Sequence, residues 1–177
     1  MTEAPYRFAG RVPEGVEPVV PGPGQESVWD YPRPPLVDPS DELVEVHLGG
    51  EVVARTRSAL RVLETSHPPT YYLPRDAFVE GALVPVEGST VCEWKGRAAY
   101  FDLVGGGKRA ARAAWTYPEP VPTYAVLAGH VAVMPGLVDA CFVDGERVRP
   151  QEGGFYGGWV TDRVIGPFKG GPGSWGW

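Results

Sequence analysis

Apolar and polar positions alternate along this chain in short runs. Leu43-Val44-Glu45-Val46-His47-Leu48 alternates with a period of two, Gly49-Gly50 follows, and Glu51-Val52-Val53-Ala54-Arg55 returns. Two such runs around Gly-Gly predict a β-hairpin, because both turn positions can take a positive φ without steric cost. Further strands are predicted over Thr70-Tyr71-Tyr72-Leu73, residues 77–84, 131–134 and 138–143. Residues 90–96 and 98–104 are predicted to pair about Gly96-Arg97. Gly105-Gly106-Gly107 is an open turn, and residues 110–117 lead from it into a proline cluster. One short helix is predicted over residues 58–64, with Leu60, Val62 and Leu63 as its apolar stripe and Thr56 or Ser58 as its cap. Residues 124–129 predict a helical turn. Short strands with Gly/Pro turns every ten residues or so predict a mainly β domain.

The flanks differ from this body. Eight prolines between Pro13 and Pro39 interrupt every helix that residues 1–40 could form, so these residues read as an arm. Within the arm, Val28-Trp29-Asp30-Tyr31-Pro32-Arg33-Pro34-Pro35 carries anchoring aromatics. Residues 41–150 read as the single β domain. Residues 151–177 mix glycine with Phe155, Tyr156, Trp159, Phe168, Trp175 and Trp177, a composition suited to a tail that wraps the body and plugs rings into grooves.

Composition narrows the class. The 177 residues suffice for one domain with a core, and 24 glycines and 20 prolines argue for turns over a helical bundle. A net charge of −6 argues against a general nucleic-acid binder, which would be basic, and leaves open a nucleotide ligand in a local basic pocket. Cys92 and Cys141 do not make a disulfide framework and read as free thiols in a reducing compartment. Residues 1–10 contain no apolar leader core, and no apolar run approaches the roughly 20 residues that span a bilayer. These features predict a cytoplasmic protein without a membrane partner.

The densest chemistry lies at Glu64-Thr65-Ser66-His67-Pro68-Pro69-Thr70-Tyr71-Tyr72. Two prolines fix the backbone and hold the polar groups on a stiff turn. His67 in reach of Glu64 reads as a general base oriented by a carboxylate, with Lys95 as electrostatic stabiliser; capping of the preceding helix is the structural alternative. Trp29, Tyr71, Tyr72, Trp94, Tyr100, Trp115, Tyr117 and His130 are the expected lining of a polar-aromatic pocket. No cofactor is expected. Cys92, Cys141, His67 and His130 have neither Cys-x-x-Cys nor His-x3-His spacing, so no metal is expected. Gly105-Gly106-Gly107-Lys108-Arg109 lacks the spacing of a phosphate-binding loop.

Four blocks carry a family resemblance: Leu60 through Tyr72, Cys92-Glu93-Trp94-Lys95-Gly96, Ala114-Trp115-Thr116-Tyr117-Pro118, and Ala128-Gly129-His130-Val131-Ala132. Over about residues 43–147 the chain resembles the family catalogued as domain of unknown function 427. Residues 26–35 and the Gly/aromatic tail resemble flanks of its longer members. The resemblance implies an antiparallel, tent-like β domain with one or two short helices, similar to methionine sulfoxide reductase B and the cereblon ligand domain. Many of those relatives hold zinc with four cysteines, and this chain has two, so zinc does not carry over. The family also bears a nucleotidyltransferase label, but the chain has no Gly-Ser plus Asp-x-Asp signature. The leading expectation is a small-molecule pocket on a β scaffold, with His67 as base in its enzymatic form. The alternatives are a non-catalytic module with an aromatic cage, a nucleotidyltransferase as the label has it, and a homodimer in which the arms swap.

Overall fold

The structure is a computed structural model that describes residues 12–177. Residues 1–11, including the stretch read for a leader core, lie outside the described residues. The arm contributes Glu26–Ser27 (β1) and Leu36–Pro39 (β2). The body runs Val44–Leu48 (β3), Glu51–Thr56 (β4), Leu60–Leu63 (β5), Thr70–Pro74 (β6), Leu83–Cys92 (β7), Gly96–Gly105 (β8), Lys108–Thr116 (β9), His130–Val133 (β10), Ala140–Val143 (β11) and Glu146–Arg147 (β12). Arg149–Pro150 (β13), Trp159–Val160 (β14) and Val164–Ile165 (β15) complete the order. The fold is mainly β, with antiparallel main sheets and only short 3-10 turns as helix among the described residues. None of these helices is long and apolar enough to cross a membrane.

The larger sheet has seven strands in the order β2-β5-β6-β10-β9-β8-β7, and the smaller has four in the order β12-β11-β3-β4. Alternation decides what each face buries. Tyr71, Leu73, Phe101, Leu103, Ala114, Val131 and Val133 of the large sheet join Val44, Val46, Leu48, Val53, Cys141 and Val143 of the small one in a single apolar cluster. Trp159 enters this cluster, and its indole N–H donates to the Val133 carbonyl at 3.1 Å. The other face of the large sheet carries a second cluster built on Leu60, Val62, Tyr72, Ala98, Tyr117, Tyr124, Leu127 and Ala132.

The Gly49-Gly50 hairpin forms as its sequence predicts, with φ of +64° and +78° at the turn. Its tip meets the β8–β9 turn: a Cβ on Gly106 would lie 1.8 Å from the Gly49 carbonyl oxygen. Only glycine fits on either side.

Two predicted elements are corrected. Residues 58–64 are not a helix: residues 60–63 form β5, a strand buried at every position between β2 and β6. A surface helix would leave one face in water, whereas here both faces are covered. Leu60 and Val62 enter the second cluster and Leu63 packs with Val28, Trp29 and Tyr31 of the arm. Arg61, 1 % exposed, is accommodated because its guanidinium meets Glu26 and Asp38. Residues 77–84 are not one strand either. Phe78 makes an isolated bridge to Ala54, the chain turns through Gly81 at φ +81°, and β7 begins only at Leu83. The β7–β8 turn falls at residues 93–95, one step before the expected Gly96-Arg97.

Candidate functional site

One register row across the large sheet lays down a floor. Leu60 lies opposite Tyr72, Tyr72 opposite Ala132, Ala132 opposite Trp115 and Trp115 opposite Tyr100. All face away from the central core. Ala132 is the small member of the row, and the Trp115 indole N–H reaches over it to the Tyr72 hydroxyl at 3.3 Å. Tyr72 and Tyr117 lie 6.4 Å apart between ring centres. Above this row opens a cleft of about 480 Å³, also lined by Glu64, His67, Trp94, Lys95 and Arg112. Burial pushes the phenols of Tyr72 and Tyr117 well above the usual tyrosine range, so both stay protonated hydrogen-bonding groups.

Glu64 and His67 come together across a tight turn. The His67 amide donates to the Glu64 carbonyl at 3.0 Å, and Ser66 takes φ +73°. A positive φ at the third position is the requirement of a type II turn. The turn, not a helix end, sets His67 Nε2 3.3 Å from Glu64 Oε2. Arg33 of the arm approaches the same oxygen at 3.4 Å. Burial works against the Glu64 carboxylate, but the hydrogen bond and charge of His67, with Arg33 and Lys95, hold it below the usual carboxylate range.

Gln151 fixes the other edge of the imidazole. Its Oε1 accepts from the Gly158 amide at 3.1 Å and its Nε2 donates to the Lys169 carbonyl at 2.7 Å. These two contacts set the amide orientation and leave one N–H for His67 Nδ1, 3.1 Å away. The neutral tautomer protonated on Nε2 satisfies both neighbours. In this arrangement neither ring nitrogen offers a lone pair to a substrate. Tyr156 packs edge-on against the imidazole at 4.7 Å.

Arg112 reaches the cleft through a pair of bulges. Between β8 and β9 the register slips around Asp102, and Arg112 takes φ +49°. The backbone N–H of Arg112 and the side chain of Arg109 hydrogen-bond to Asp102 and hold its carboxyl below the usual range. The neighbouring slip between β7 and β8 places Gly88 at φ +104°, where a Cβ would meet Arg112 Nη1 at 2.9 Å. That Nη1 donates to the Glu87 carbonyl at 2.9 Å, and the guanidinium lies over the Tyr100 ring.

Eight of the residues singled out in the sequence line this cleft: Glu64, His67, Tyr72, Trp94, Lys95, Tyr100, Trp115 and Tyr117. Three do not. Trp29 is buried where the arm meets the tail, with its indole N–H on the Pro167 carbonyl and its ring against Trp177. Tyr71 points to the opposite face, where its hydroxyl donates to Glu42 and its ring meets Trp159. His130 sits at the edge of β10 with Nδ1 3.1 Å from the Ala128 carbonyl. Sequence reasoning missed Arg112, Gln151, Tyr156 and Lys169, all part of the wall. Among the described residues no group of three or more His, Cys, Asp and Glu is placed to hold a metal. Cys141 lies in the other sheet, and burial pushes its thiol up to about 12.

Residues 36–144 match the family described as Domain of unknown function (DUF427). The match contains the sheet wall of the cleft and stops short of Gln151, Tyr156 and Lys169. A comparison with curated proteins finds no match.

Proposed function

The chain belongs to the DUF427 family, and from that premise we propose that it binds a small cyclic molecule in the cleft over Tyr72, Tyr100 and Trp115. The observation that carries this reading is the floor itself. Tyr72, Trp115 and Tyr100 of one register row line a depression of ligand size, with Trp94 and Tyr117 as further aromatic surface. Ligand sites are typically hollows of roughly 300–1,000 Å³ with apolar walls and a few polar groups, and the Glu64–His67 pair supplies the polar centre. Turnover with His67 as general base is the second reading. Its 3.3 Å contact with Glu64 favours it, and it requires Gln151 to release Nδ1.

A thermal-shift screen of cyclic metabolites tests the first reading, because a ligand of the native state raises the melting temperature. Hits are expected to quench tryptophan fluorescence and to bind at least about tenfold more weakly to Trp115→Ala. A screen without hits, or hits indifferent to Trp115→Ala, would remove the cleft as the binding site. Loss of turnover with retained binding in His67→Ala would separate the second reading from the first.

A further inference from the structure

Three cationic side chains line the cleft, and each lies over the ring of a different tyrosine. Lys95 Nζ is 5.7 Å from the Tyr117 ring centre, the Arg112 guanidinium carbon 4.2 Å from that of Tyr100, and Lys169 Nζ 5.7 Å from that of Tyr156. Among the described residues neither Lys95 nor Arg112 has a carboxylate within ion-pair distance. Arg33, Arg61, Arg109, Arg149 and Arg163 are each paired with one.

A tyrosine face attracts a cation without neutralising it. Arg112 spends one nitrogen on a neutral carbonyl, which does not cancel its charge, whereas Lys169 is engaged by the Trp177 oxygen at 3.0 Å. Of the acids of the cleft, Glu64 is engaged directly by Arg33 and His67 and feels Lys95 only beyond ion-pair distance, and Glu93 forms no ion pair. This gathering of unpaired positive charge occurs in a chain whose net charge is −6. The placement of Arg112 also requires a left-handed residue and two adjacent bulges, the kind of backbone cost that concentrates at functional sites.

We propose that the molecule bound here carries an anionic group, a carboxylate or a phosphate, on a planar ring. The ring rests on Trp115 and Tyr72, and the anion is taken by Lys95 and Arg112. This inference rests on the reading of the cleft as a binding site and adds the charge of what it takes. Charge-assisted hydrogen bonds are shorter and stronger than neutral ones, so the anion supplies affinity while the rings supply position.

The test is calorimetric titration of the full chain with two matched pairs, indole-3-acetate against indole-3-acetamide and adenosine monophosphate against adenosine. At least one anionic member is expected to bind about tenfold or more tighter than its neutral partner, the size of one charged hydrogen bond. Which pair shows the difference tells carboxylate from phosphate. The gap should narrow as salt rises from about 20 to about 200 mM, because partly exposed charges are screened. Lys95→Met and Arg112→Met should bring the anionic member to the affinity of the neutral one. The matched pairs and the salt series on the unaltered protein stand without these variants, should either fail to fold. Equal affinity within a pair that binds, unmoved by salt, overturns the anionic ligand and leaves the cleft reading intact. Binding of none of the four also overturns it, and the cleft reading then stands or falls on the wider screen.

Discussion

Gln151 can offer His67 only a donor, because its oxygen is committed to the Gly158 amide and its other N–H to the Lys169 carbonyl. Long-range proton–nitrogen NMR should therefore find the neutral His67 proton on Nε2, facing Glu64. Gln151→Leu should release the ring into a mixture of tautomers. It should also cost about 1–3 kcal/mol, since the buried Gly158 amide loses its acceptor. A proton on Nδ1 in the unaltered protein would contradict this arrangement.

Glu64 makes a pH prediction. Its folded pKa lies below the ordinary carboxylate value, so the unfolded chain binds a proton more readily. The resulting stability is fully present above the ordinary carboxylate pKa of about 4.3 and is lost as pH falls through the lower folded value. Denaturation at neutral pH should show Glu64→Gln less stable than wild type, and the gap should close in acid. A gap that is constant down the acid limb would exclude the ionised Glu64 as its source.

Gly157 tests the floor. A Cβ there would stand 2.3 Å from Trp115 Cη2, so Gly157→Ala must displace the indole and with it the bond to Tyr72. Near-ultraviolet circular dichroism should change, and ligand binding should fall as in Trp115→Ala. Gly176→Ala, which meets nothing within 4 Å, is the matched control. Identical spectra for the two variants would mean that Gly157 does not seat the indole.

Arg61 tests the attachment of the arm. It is 1 % exposed and joins β5 to Glu26 of β1 and Asp38 of β2. Glu26 and Asp38 keep contact with water, and Glu26 keeps Tyr31 and Arg163, so Arg61→Ala should cost about 1–3 kcal/mol in chemical denaturation, the size of a lost charged hydrogen bond. A loss under about 1 kcal/mol would show that the arm is held by Trp29 and Tyr31 instead.

The hairpin at Gly49-Gly50 was legible because alternation and turn chemistry agree at that point. β5 was not, because Leu60-Arg61-Val62-Leu63 reads as an amphipathic stripe with a wet arginine. Its acidic partners lie 35 and 23 positions upstream, beyond any local pattern. For the site, the Glu64–His67 turn and the aromatic blocks were readable from residue type. Tyr71 and Tyr72 held a signal that went unused: neighbours on one strand face opposite ways, so only one of them could line the cleft. Arg112 was invisible because Ala110-Ala111-Arg112-Ala113 looks like plain strand, and its left-handed backbone depends on Asp102 in the adjacent strand. Gln151, Tyr156 and Lys169 belong to a glycine-rich stretch with no periodicity.

The cleft has walls of two kinds. One is the seven-stranded sheet, and the other is the stretch carrying Gln151, Tyr156 and Lys169, tied down by Trp159 to the Pro69 carbonyl and by Lys169 to the Ser66 carbonyl. Docking of that stretch and filling of the cleft therefore share one free energy. A molecule that touches both walls would slow amide hydrogen exchange along residues 151–170, even at positions it never contacts, and loosening those ties would weaken its binding by the same factor.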